Sequence, residues 1–200
     1  MLKYLRRLER VIKFYYSTMF AGKTTDCLKT YDIYRRKKMN PIILKPAVDD
    51  REGSFKGWGW TQSRITKDKQ PAYYYTDLQK ELPQLDYGCI MVDEAQFLSR
   101  EDVLYLADVV DRKNIPMLAY GLKTDVNGNL FEGAAALLAV ADECHELTTL
   151  CQMPNCMNPA QIHLRYVDGQ VDTSKESVAI EKDNVTYKAV CRKCWREATK

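Results

Sequence analysis

At 200 residues, with a hydrophobic share of 46% and a charged share of 28%, the chain has the size and composition of one soluble globular domain, with room for a small appendage. No apolar run approaches the roughly 20 residues that span a bilayer, so no membrane-crossing helix is expected. A formal net charge of +3 without a long basic block argues against nucleic-acid binding.

The opening MLKYLRRLER puts Leu2, Leu5 and Leu8 at helical spacing between cationic residues. With no Ser, no apolar signal core and no cleavage site, residues 1–10 read as a short amphipathic extension rather than a targeting segment. VIKFYY (11–16) predicts a strand, and 24–38 a helix whose basic end at 35–38 complements the helix dipole. PIILK (41–45) is a second strand, which Pro41 can open but could not interrupt. Residues 46–70 show little periodicity and are expected to be loop, with YYYT (73–76) as a third strand. YGCIMVDE (87–94) is a strand ending in acids, and 99–114 a helix with Ser99 as N-cap and Asp102 three residues on. A strand follows at 115–122, a helix at 131–141 and an extended piece at 143–150. Strands alternating with helices imply an α/β domain over 11–148, a mostly parallel sheet covered by helices on both faces. From 149 to 200 the pattern changes to short extended pieces between cysteine pairs, a second and smaller lobe.

The turn after the first strand carries chemistry. Ser17-Thr18-Met19-Phe20-Ala21-Gly22-Lys23-Thr24 follows the phosphate-loop pattern G-x-x-x-x-G-K-[ST] at every position but the first, where Ser17 replaces Gly. Gly22 spares the phosphate a crowding Cβ, and successive N–H groups at the helix start can then point at an anion. Lys23 adds a cation for the outer phosphates, and Thr24 a hydroxyl ligand for Mg²⁺. The second half is CIMVDEAQF, where Asp93 and Glu94 stand as a buried strand leaves the sheet. An acid at that place holds Mg²⁺ in phosphate-loop proteins, usually through water. The neighbouring Glu94 can orient an attacking hydroxyl and accept its proton. This machinery serves a water-activating ATPase and a small-molecule kinase alike. DEAQ is a superficial cue to an ATPase acting on nucleic acid, but the further helicase motifs are missing.

Of the seven cysteines, Cys27, Cys89 and Cys144 stand alone in apolar-looking stretches and are expected to be buried. Cys151-x4-Cys156 and Cys191-x2-Cys194 have the spacing of structural zinc knuckles. Four thiolates leave no open coordination position, so such a zinc would be structural. It would tie together the ends of 157–190, a segment too poor in apolar residues to fold unaided, and its binding energy would be folding energy. A polar loop anchored in this way is a candidate lasso-like lid over a substrate. A nucleic-acid-binding zinc ribbon fits poorly, because clustered Lys/Arg with stacking aromatics are lacking.

FYYSTMFAGKTT, LKPAVDDR, VDEAQFL, IPMLAYGL and AVCRKC, in this order and at this size, resemble the thymidine kinases of the cellular, vaccinia-like and bacterial class, with bacterial and phage members most alike. The likeness runs from about residue 11 to the end, and Ser17 is itself like bacterial relatives. The resemblance implies ATP- and Mg²⁺-dependent phosphorylation of the thymidine 5′-hydroxyl in pyrimidine deoxynucleoside salvage, in the cytoplasm. It implies Glu94 as catalytic base, residues 17–24 as phosphate loop, Asp93 to Gln96 as nucleotide and metal segment, and Asp49 and Arg51 near the phosphates. Met19, Leu122 and the position of Val126 would line the thymine pocket. Tyr187 would contact the nucleoside, and the lid strand, here Val178, Ala179, Ile180, Glu181 and Lys182, would hold the base through its backbone. Family members are commonly homotetramers inhibited by thymidine triphosphate. The chain departs from the family at Val126, where an aromatic is usual, and at Glu181-Lys182-Asp183-Asn184 in place of a Gly-Gly pair.

Overall fold

The computed structural model describes residues 10–47, 57–174 and 184–200, so the amphipathic reading of 1–10 falls almost wholly outside the described residues. The elements in chain order are β1 (Ile12–Ser17), α1 (Lys23–Arg36), β2 (Pro41–Pro46), β3 (Gly57–Gln62), β4 (Lys69–Tyr75), α2 (Leu78–Glu81), β5 (Cys89–Asp93), α3 (Arg100–Lys113), β6 (Met117–Leu122), α4 (Glu132–Val140), β7 (Glu143–Leu147), β8 (Ile162–Val167), β9 (Gln170–Val171), β10 (Val185–Val190) and α5 (Arg192–Ala198). A seven-stranded sheet has the order β3-β4-β2-β5-β6-β1-β7, and a three-stranded sheet the order β10-β8-β9. In the large sheet every pairing is parallel except β3 with β4. Among the described residues no helix is long and apolar enough to cross a membrane.

The central strands are apolar throughout because both of their faces are covered. Ile42, Leu44, Ile90, Val92, Met117 and Ala119 pack on one side with Val103, Leu106 and Val110 of α3 and with Ala134 and Leu137 of α4. Their neighbours Ile43, Cys89, Met91, Leu118 and Tyr120 pack on the other side with Cys27, Leu28 and Tyr31 of α1. The two-residue period of a strand thus feeds two cores from one segment. Helix α3 starts as read: the Ser99 hydroxyl accepts from Asp102 N–H, and the Asp102 carboxylate accepts from Ser99 N–H.

Three expectations fail. Residues 46–70 contain β3 and the start of β4, not a continuous loop. The strand β3 lies at a sheet edge, with Trp58 and Trp60 exposed while Thr61 is buried. Its large apolar side chains face outward, so the usual in–out pattern is inverted and hides the strand. Cys144 is exposed, not buried, because β7 is the opposite edge strand, with four of its five residues exposed. Third, the cysteine region contains a helix, α5, besides extended pieces.

Candidate active site and metal centre

The C-terminal ends of β1, β5 and β6 lie side by side, with β6 between the other two. In a parallel sheet this is the edge where ligands bind. From Ser17 the chain turns through 18–21 into α1, whose N-cap is Gly22 at φ 81°, a left-handed conformation in which a side chain would be strained. Lys23 Nζ donates to Ser17 Oγ (3.1 Å) and to Thr18 O (2.8 Å), so the ammonium folds back over its own loop. The serine that replaces glycine at the first position therefore holds the lysine. Thr18 Oγ1 is buried with no hydrogen-bond partner among the described residues, a hydroxyl left over for a bound anion. Ala21, Gly22, Thr25, Asp26, Ile65 and Leu147 are among the residues lining an open cleft of about 310 Å³. A loop leading into the N-terminus of a 14-residue helix suits a phosphate.

At the end of β5, Asp93 is buried and accepts from Thr61 Oγ1 (3.0 Å) and Thr24 Oγ1 (3.3 Å). The carboxylate and the helix-start hydroxyl are thus already adjacent, as two ligands of one hard cation must be. Glu94 follows in the left-handed region, at φ 58° and ψ 40°, at a cost of roughly 1–2 kcal/mol for a residue with a Cβ. That turn, rather than strand alternation, parts Glu94 from Asp93. The Glu94 carboxylate accepts from Gln96 Nε2 (2.6 Å), and Gln96 Oε1 accepts from Leu122 N–H (3.0 Å). A chain of hydrogen bonds therefore orients the acid from the end of β6. Glycine is required at 121, where a Cβ would lie 2.9 Å from Gln96 N and 3.0 Å from its Oε1.

The sulfurs of Cys151, Cys156, Cys191 and Cys194 all lie within 4.8 Å of one another, and none is in a disulfide. Cys156 Sγ and Cys191 Sγ are 3.8 Å apart, close to the ~3.8 Å edge of a tetrahedron with metal–sulfur bonds of about 2.3 Å. Asn158 Nδ2 donates to both of these sulfurs (3.6 and 3.9 Å). The Cys194 backbone N–H draws the Cys191 thiol down, whereas burial pushes Cys194 up. This set of four thiols can hold a metal ion.

The family model described as thymidine kinase matches residues 10–195. The chain belongs to the thymidine kinase family. It is 43% identical over 192 residues to the thymidine kinase of Rhodopirellula baltica, covering 92% of this chain and 87% of that protein. It is 40% identical to the thymidine kinase of Haemophilus influenzae, over 92% of this chain and 95% of that one. The thymidine kinase of Vibrio cholerae is likewise 40% identical, over 92% and 96%.

In this thymidine kinase family member the expected site residues fall into groups. Residues 17–24, Asp93, Glu94, Gln96 and Leu122 share the sheet edge and are linked as described. The Val126 carbonyl accepts from Trp195 Nε1 of α5 (3.0 Å), and Tyr187 pairs across from Arg165. Asp49, Arg51, Val178, Ala179, Ile180, Glu181 and Lys182 lie outside the described residues. Sequence reading missed Thr61, His163, Arg165 and Trp195. Met19 N–H donates to His163 Nε2 (2.7 Å). Buried Arg165 donates through Nε to Asp172 (2.6 Å) and through Nη2 to Ser174 Oγ (2.8 Å). The alternation in IHLRYV (162–167) was the available signal for two of these, since polar residues at every second position mark the second face of a strand.

Proposed function

We infer that this chain transfers the γ-phosphoryl group of ATP to the 5′-hydroxyl of thymidine, giving thymidine monophosphate and ADP. The observation that carries the reading is the hydrogen-bonded run from Glu94 through Gln96 to Leu122 N–H, beside a phosphate loop in a family member. As the 5′-oxygen bonds to the γ-phosphorus and the bond to the β-phosphate oxygen breaks, the hydroxyl proton passes to the Glu94 carboxylate. The transition state is loose, so positioning and charge neutralisation carry most of the acceleration. Lys23 would leave Ser17 Oγ and Thr18 O for the outer phosphates, and Thr18 to Thr24 would supply amides and hydroxyls.

Thr24 and Asp93 would hold Mg²⁺, which when bound neutralises phosphate charge. Asp49 and Arg51 would stand near the phosphates. Met19, Leu122, Val126 and Tyr187 would line the thymine site, with backbone from 178–182 on the base. Zinc is the metal that best suits four thiolates without an open position, and it would organise 149–200 as a lobe separate from 11–148. A cytoplasmic homo-oligomer, dimer or tetramer, restrained by thymidine triphosphate completes the reading. The test is a nucleoside panel with ATP and Mg²⁺. ADP release is expected with thymidine and unchanged by DNA; turnover that requires DNA and ignores nucleosides would refute it.

A further inference from the structure

We propose that His163 is a positioning residue of the transfer site: its Nε2 holds the Met19 N–H and thereby ties the phosphate loop to the cysteine-bearing sheet. Strand β8 has two occupied faces. Ile162 and Leu164 pack with Cys151, Val190 and Cys191. His163 and Arg165 point the opposite way, and their antiparallel partners Ala189 and Tyr187 share that face. His163 is 2% exposed, and its 2.7 Å bond reaches a residue 144 positions earlier in the chain. One strand thus packs on the sulfur cluster with Ile162 and Leu164 and reaches the phosphate loop with His163 between them.

The bond needs a neutral ring with its proton on Nδ1, since an imidazolium has no acceptor. Burial and the nearby Lys23 cation both oppose protonation and push the imidazole down to about 3, so the acceptor persists throughout the neutral range. Met19 stands directly before Phe20, which is left-handed at φ 62° and opens the passage to Gly22, left-handed at φ 81°. Fixing the Met19 peptide sets the plane from which that passage starts. The loop then meets its ligands already shaped, and less ordering entropy is lost on binding.

The kinetic part of this inference rests on the kinase reading; the structural part does not. In uniformly nitrogen-15-labelled protein, a through-hydrogen-bond coupling between Met19 N and His163 Nε2 is expected, and its absence would overturn the proposal whatever the chain phosphorylates. With thymidine as substrate, His163→Phe keeps a ring but removes the acceptor. Its KM for thymidine should rise about tenfold, because the Met19 segment must then be ordered on binding, while kcat changes by less than about threefold. His163→Gln restores a carbonyl acceptor and should recover most of the loss. A Phe variant with native KM and only a lowered Tm would make the histidine purely structural and end the proposal, as would a Gln variant no better than Phe. A wild-type chain with the coupling but no thymidine turnover would support the tie and count against the kinase reading alone.

Discussion

The two sheets of this molecule are held together by different forces. In the seven-stranded sheet, Ile90, Met91 and Val92 are fully buried between two apolar clusters drawn from three helices on one side and one on the other. In the three-stranded sheet the buried cluster is Cys151, Ile162, Leu164, Val190 and Cys191, so two of its five members are cysteines. Met153, Tyr166, Val171 and Trp195 pack against it only partly buried, so this cluster is smaller than either cluster of the large sheet. The large sheet stands on the hydrophobic effect, and beside the small one lie four thiols that can hold a metal ion. Yet this region reaches two of the expected site residues: His163 of β8 accepts from Met19 N–H, and Trp195 of α5 donates to the Val126 carbonyl.

The strongest way to break this comparison is to remove the metal. Elemental analysis should find about one zinc per chain, and Cys191→Ser or chelation should abolish it. The bound ion is worth roughly 10–16 kcal/mol in small zinc-folded peptides, so hydrogen exchange should show β8 and β10 unprotected while β5 and β6 stay protected. Simultaneous collapse of both sheets would show that the two share one source of stability.

Glu94→Gln probes the large sheet's chemistry and leaves both cores untouched. Loss of a general base typically lowers turnover about 10²- to 10⁴-fold, so kcat should fall within that range with ATP binding and zinc content unchanged. Native turnover in that variant would remove the assigned base.

Trp195→Phe addresses the junction. It keeps the packing of α5 but deletes the bond to the Val126 carbonyl, at about 1 kcal/mol, and KM for thymidine should rise a few-fold at native kcat. An unchanged KM would mean that the small sheet influences the site through His163 and not through α5. The smallest effect is expected from Ser99→Ala, which removes the α3 cap: stability should fall by about 1 kcal/mol in denaturant titration, with zinc retained and kinetics unaltered.

The phosphate loop and the acids after β5 were legible because local rules write them: a Gly at a left-handed turn, a Lys-Thr opening a helix, carboxylates ending an apolar strand. The cysteine spacing was legible for the same reason, since ligands two to four residues apart are a local arrangement. Reading failed wherever a side chain's surroundings come from elsewhere. Cys144 sits in a sequence that suits burial, but the strand order puts it on an edge. Trp58 and Trp60 face out because β3 is an edge strand with a single partner strand among the described residues.

What the residues alone established is a parallel α/β domain, a turn with the phosphate-loop pattern, two acids at one strand end and a cluster of four cysteines, because each is encoded in periodicity or short spacing. Only folding in three dimensions decided that β6 would lie between the phosphate loop and Asp93, that Gln96 would reach Leu122, and that a histidine in β8 would hold Met19. Those are contacts between distant segments. They depend on which strand neighbours which, and strand order is set by the packing of whole layers rather than by any short stretch of chain.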